Sequence, residues 1–379
     1  MRYYVIAGEA SGDLHGSNLL RELKLKDPLA AIRCWGGEKM EAAGADLVKH
    51  YRDLAFMGFT EVLRNLPTIL NNLRFCKADI LSFHPDVLIL IDYPGFNLRI
   101  AKWAKKSGFK VVYYISPQVW AWKENRVKLI KRCVDLMLVI LPFEKAFYHK
   151  WHYEVIYVGH PLIEVVDQFI QMAGPKMNIT GKTIALLPGS RRQEVMKKLP
   201  LMLELSHRLP DYTFVVAKAP GLEDEFYEDL LHPYKNVKAV RNQTYELLYQ
   251  ATAALVTSGT ATLETALFAV PEIICYKGSE ISYQIARRLI KIKYIGLVNL
   301  IMNKPVVKEL IQQELNVENM FAELKELLNN PIRQAELKAD YEALRNLLKK
   351  GGNASSNAAD KIIAFLNPSL PEQKTNPDK

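Results

Sequence analysis

Short, largely apolar runs recur along this chain, each stopping at a glycine, a proline or a small polar residue before an amphipathic stretch begins. In the first half they are Tyr3–Ala7, the short Ile32–Trp35, Asp86–Ile91, Val111–Ile115, Leu136–Leu141 and Val155–Val158. In the second they are Thr183–Leu187, Phe214–Ala217, Val237–Val240, Ala253–Thr257 and Ile273–Tyr276. A run that is apolar without alternation reads as a strand buried on both faces. Such strands, alternating with helices, predict an α/β fold of parallel sheets with helices on both faces. At 379 residues the chain is too long for one ordinary core, so two domains are expected. The expected bounds are 1–165, joined by a C-terminal helix at 354–366, and 178–350. A helix and Gly174-Pro175 make the crossing, and 367–379 is expected to be a disordered tail. Gly296–Leu300 is read as a short extended piece bearing Asn299.

In parallel sheets the loops at the carboxyl ends of the strands build the site. Thr183–Leu187 runs through Pro188-Gly189-Ser190-Arg191-Arg192 into a helix that carries Glu194. A helix start offers unpaired N–H groups and partial positive charge, and two arginines add forked donors, so the turn suits a phosphate. A plain strand–helix turn with two solvated arginines is the alternative. Ser258-Gly259-Thr260 opens a second helix in the same way, with Glu264 one turn in, either gripping a diol or complementing the helix dipole. Gly8-Glu9-Ala10-Ser11-Gly12-Asp13 follows the first strand and reads as a ligand-facing loop, though not as a dinucleotide fingerprint. Asp92 ends the strand Asp86–Ile91, where it is either a base or hydroxyl ligand, or an N-cap. Trp120 and Trp122 either pack in a core or line a pocket. Leu54–Phe75 carries an apolar face broad enough for a membrane interface or for a core helix. Ser279–Ile292 reads as a helix with a basic face.

The net charge of +9 points to an anionic partner. No basic run is dense enough for nucleic acid. Cys34, Cys76, Cys133 and Cys275 are scattered without a C-x-x-C pair, which argues against a zinc site or a disulfide framework and suits a reducing cytoplasm. The first residues enter a strand directly, so no signal peptide is expected, and no apolar run is long enough to span a bilayer.

Taken in order, these motifs resemble the lipid-A-disaccharide synthase family of bacterial glycosyltransferases. The matching pieces are Gly8–Asp13, Phe56-Met57-Gly58 with Glu61-Val62-Leu63, Ile91-Asp92-Tyr93-Pro94, Ser116–Trp122, Leu141–Lys145 and Gly159-His160-Pro161. They continue with Leu187–Arg191, Ser258–Glu264 and Asn299-Leu300, covering nearly the whole chain. The resemblance implies the GT-B architecture of two facing Rossmann-like domains. It also implies transfer of the sugar of UDP-2,3-diacylglucosamine to 2,3-diacylglucosamine 1-phosphate (lipid X), giving the β-1′,6 disaccharide phosphate and UDP.

Carried over by motif, Asp92 is the base on the acceptor 6-hydroxyl. Ser190, Arg191, Glu194, Ser258, Gly259, Thr260, Glu264, Tyr276 and Asn299 form the donor UDP site, while Ser11, Gly12 and Asp13 line the acceptor side. No metal and no cofactor are expected. The expected partners are the two acyl sugars, an anionic membrane surface on the cytoplasmic face and, as an open alternative, a second copy of the chain. Gly95 stands where many members of the family carry a second acid. A UDP-sugar 2-epimerase and a membrane-associated nucleotide-binding protein are the competing readings.

Overall fold

The computed structural model describes residues 1–54, 66–172, 177, 179, 181–279, 283–284 and 292–367. Phe56-Met57-Gly58, the first part of the broad apolar stretch, most of the basic Ser279–Ile292 segment and the tail from 368 lie outside the described residues.

The chain divides into two compact units, one made of Met1–Pro161 with the segment from Lys349 onward, the other of Leu162–Leu348. The first holds a seven-stranded sheet in the order β3-β2-β1-β4-β5-β6-β7. Its strands are β1 (Arg2–Ala7), β2 (Ala31–Gly36), β3 (Asp46–His50), β4 (Val87–Ile91), β5 (Val111–Tyr114), β6 (Leu136–Val139) and β7 (Ile156–Tyr157). The second holds a six-stranded sheet in the order β10-β9-β8-β11-β12-β13. Its strands are β8 (Lys182–Leu187), β9 (Tyr212–Lys218), β10 (Val237–Arg241), β11 (Ala253–Thr257), β12 (Glu272–Tyr276) and β13 (Lys308–Ile311). Every pairing is parallel, so both sheets are of the Rossmann-like α/β kind that the apolar runs predict.

The inner strands β1, β4, β5, β6, β8, β11 and β12 have side chains that are almost wholly buried. The edge strands are more polar. β3 (Asp-Leu-Val-Lys-His) and β13 (Lys-Glu-Leu-Ile) carry charges that suit a solvated margin. They have no counterpart among the apolar runs, and β12 is therefore not the last strand. Gly296–Leu300 is not extended. Leu297–Met302 is a helix, because Val298 and Ile301, three apart, are buried on one side of it.

In the first unit the C-terminal helix Ala354–Leu366 packs on the helix Ala10–Lys26, with a Lys26–Asp360 ion pair at 2.7 Å. Asn357 Nδ2 donates to the carbonyls of Val158 (3.0 Å) and Gly351 (2.6 Å), tying the returning chain to the departing one. No helix among the described residues is long and apolar enough to cross a membrane.

Candidate active site

Each sheet has one place where successive crossovers leave in opposite directions, and in folds of this kind ligands bind beyond the strand ends there. In the first unit it lies between β1 and β4, and in the second between β8 and β11. Both contain the loops that the sequence singles out.

In the first unit Ala7 pairs with Ile91, which sets Gly8 beside Asp92. Asp92 (φ 41°) and Tyr93 (φ 47°) are both left-handed, a conformation that costs a residue with a side chain about 1 kcal/mol or more. The strain is held by specific bonds to the Asp92 carbonyl. Asn97 Nδ2 donates to it at 2.8 Å, and to the Ile91 carbonyl at 3.1 Å, while the Tyr113 hydroxyl donates at 2.5 Å. Asn97 sits one turn into the helix Pro94–Lys106, and both Asn97 and Tyr113 are fully buried.

The bend also lays the Tyr93 ring over Gly8, where a methyl group would fall 2.3 Å from the ring. Only glycine fits there. Burial pushes the Asp92 carboxyl up from 3.8 to about 7, and the neighbouring Glu9 carboxylate adds to the rise. A carboxyl that titrates near neutral pH suits proton transfer.

Ser11 and Gly12 lie in the first turn of the helix Ala10–Lys26, with Gly12 against Ala7 of β1 and Ile91 of β4. The Asp13 carboxylate turns inward and caps the short helix Glu38–Ala42, accepting from the N–H groups of Gly37 (2.8 Å), Lys39 (3.2 Å) and Met40 (3.0 Å). Its visible task is to hold the β2 end in place.

The tryptophans take different roles. Trp120 is buried, meets Phe143 edge-on and donates to Glu144, whose other oxygen accepts from the Leu141 N–H. Glu144 thus bonds the Ser116–Trp122 and Leu141–Lys145 motifs together, and burial lifts its carboxyl to about 7. Trp122 is 49% exposed, with Lys123 and Arg126 over its ring at 4.1 and 5.8 Å.

In the second unit the turn after β8 leads into the helix Arg192–Arg208, with Arg191 as its N-cap. Glu194 folds back on the turn, accepting from Ser190 N–H at 3.3 Å and pairing with Arg191 at 3.4 Å. The two arginines part here. Arg191 stays on the turn with its side chain 54% exposed, whereas Arg192 lies over the Phe226 ring at 4.4 Å.

Beside this turn, the one after β11 opens the helix Thr260–Leu267. Gly259 has φ 145° and open space around it, so the helix start is bare backbone that a ligand can approach. The Ser258 hydroxyl donates to the Ile295 carbonyl at 3.0 Å. Glu264 accepts from the Tyr245 hydroxyl at 2.8 Å, and burial raises its pKa. Tyr276 ends β12, close enough to Glu194 to sense its charge.

Asn299 is committed elsewhere. Its amide bonds Val307 on both backbone sides (2.9 Å each) and Glu309 Oε1 (2.9 Å), and Glu309 also accepts from the Ile295 and Gly296 N–H groups. It therefore fixes the loop that Ser258 leans on.

The motif reading missed Asn97 and Tyr113 in the first unit, and Lys198 and Thr257 in the second. Only Lys198 left a trace in the sequence: a charge three residues from Val195 on a buried helix face.

Comparisons with known proteins agree with this frame. The family model for lipid-A-disaccharide synthetase matches residues 3–363. The lipid-A-disaccharide synthase of Syntrophus aciditrophicus is 41% identical over 93% of this chain and 95% of its own. Among solved structures, the S. aureus MnaA–UDP co-structure superposes with a TM-score of 0.68 at 14% identity, covering 97% of each chain. The glycotransferase of kitacinnamycin gives 0.64 at 15% identity, covering 96% of this chain and 99% of the other. At such identity the two structures speak for the fold alone, and the two Rossmann-like units are those of the GT-B class. With the family model spanning nearly all of its length, the chain belongs to the lipid-A-disaccharide synthetase family.

Proposed function

We propose that this enzyme joins UDP-2,3-diacylglucosamine to 2,3-diacylglucosamine 1-phosphate, forming the β-1′,6 lipid A disaccharide 1-phosphate and releasing UDP. The observation that carries the reading is Asp92: a carboxyl placed at a switch point by two strained residues, clamped through its own carbonyl, and titrating near 7. In the proposed step Asp92 takes the proton of the acceptor 6-hydroxyl as that oxygen attacks the anomeric carbon of the donor. The bond from that carbon to the diphosphate oxygen breaks, UDP leaves with the electron pair, and the configuration inverts.

The leaving charge is met by the bare helix start at Ser258-Gly259-Thr260, by the Ser190-Arg191 turn and by the Arg191 guanidinium. Glu264 and Tyr276 border the nucleoside side. Asn299 and Glu194 hold these turns in place. Ser11 and Gly12 border the acceptor, and Asp13 supports them from below.

Contact with acyl chains and an anionic leaflet is supported by exposed Leu70, Phe75 and Leu81 on the helix Leu66–Phe83, and by Trp122 with its two cations.

Titration calorimetry with UDP tests the donor site. Arg191→Ala should weaken UDP by roughly 10- to 100-fold, the worth of charge-assisted bonds to phosphate. Arg192→Ala, whose guanidinium is engaged by Phe226, should leave the affinity nearly unchanged. Equal losses in the two variants would contradict the assignment.

A further inference from the structure

The helix Arg192–Arg208 places a lysine where its pattern calls for an apolar residue. Lys198 is 3% exposed and shares its face with buried Val195, Leu199 and Met202. Its Nζ donates to Oγ1 of Thr257. Thr257 ends β11, pairs with Cys275 of β12, and is followed at once by Ser258-Gly259. The ammonium is thus held at the end of β11, with Cys275 of β12 beside it.

Such placement is costly. An ammonium has three donors, and among the described residues its one hydrogen bond is to a neutral hydroxyl. Burial accordingly depresses the Lys198 pKa. Glu194 and the Cys275 thiol oppose the fall, while Lys197 and Arg191 add to it. A leucine or methionine would fill the position more cheaply. One carboxylate, Glu194, faces three cations there, Lys197, Lys198 and Arg191, so a further anion at these strand ends is favoured. Thr257 supplies the link. Its oxygen accepts from Lys198, so its own proton is left to donate, and it makes no other hydrogen bond among the described residues.

We propose that Lys198 is a positioning residue for the leaving group, acting through the Thr257 hydroxyl, which donates to the diphosphate of the bound nucleotide. The relay rests on the reading that the two turns of the second unit hold UDP. It adds to the helix starts a charge that water does not reach, which is where electrostatic stabilisation is worth most.

The test measures UDP and uridine binding by ligand-observed NMR for the wild type, Lys198→Met, Thr257→Val, Thr257→Ser and the double variant that combines Lys198→Met with Thr257→Val. Lys198→Met and Thr257→Val should each weaken UDP roughly tenfold, as expected for loss of one charge-assisted bond. Uridine, which lacks the diphosphate, should bind all variants alike. Thr257→Ser keeps the hydroxyl and should keep the affinity, and the double variant should be no weaker than either single one. Parallel loss of UDP and uridine would mark Lys198 as a structural residue and overturn the proposal, as would unchanged UDP affinity in Lys198→Met. A wild type that binds uridine but gains nothing from the diphosphate would overturn the donor-site reading itself.

Discussion

Asp92→Asn is expected to lower turnover on the order of 10³-fold, within the span that a general base contributes, while UDP affinity stays unchanged. The substitution keeps the size and the left-handed tolerance of the residue but removes the basic oxygen. In the wild type the carboxyl must be ionised to act. Turnover should therefore climb with pH through about 7 and level off above it.

The same shift has an opposite sign for stability. Folding raises this carboxyl from 3.8 to about 7, so the folded state prefers the proton. Its contribution is fully present below 3.8 and is lost as pH rises through about 7. Asp92→Asn should then melt higher than the wild type at pH 8 and alike at pH 3.5. A variant that is less active and more stable at high pH is what a strained, functional acid should give. Full activity in Asp92→Asn would remove the base from the account.

Asn97→Ala should be the most damaging change that touches no substrate. It leaves the Ile91 and Asp92 carbonyls short of a donor in a buried place, at a cost of about 2–4 kcal/mol. It also frees the Asp92 bend, and a misplacement of about 1 Å at a reacting group is worth roughly 100-fold in rate. A thermal melt and turnover measured well below the melting temperature separate the two effects. Loss of stability with turnover retained would show that the clamp does not position Asp92. Tyr113→Phe removes only the second bond to the same carbonyl and should show both effects in weaker form.

What the sequence made legible follows from locality. Glycines, prolines and small hydroxyl residues at strand ends are read from their immediate neighbours, so the loops at Gly8, Asp92, Gly189 and Gly259 stood out. Their gathering at two switch points follows from the strand order, which no local pattern carries. The left-handed pair Asp92-Tyr93 was hidden for a similar reason. Neither residue favours that backbone by itself, and the bonds that hold it come from Asn97 on the next helix and Tyr113 on the next strand. The edge strands β3 and β13 escaped because half their residues are charged or polar, and the Leu297–Met302 helix because its apolar face is only one turn long. Asp13 and Asn299 were marked by motif alone. Their bonds show that each fixes the backbone of a neighbouring loop.

The central claim, transfer between two acyl sugars, is tested most directly by following UDP release from UDP-2,3-diacylglucosamine in detergent micelles, with and without 2,3-diacylglucosamine 1-phosphate. Release that requires the acceptor and yields a disaccharide phosphate is the expected result. Release indifferent to the acceptor, or turnover of UDP-N-acetylglucosamine by itself, would contradict it.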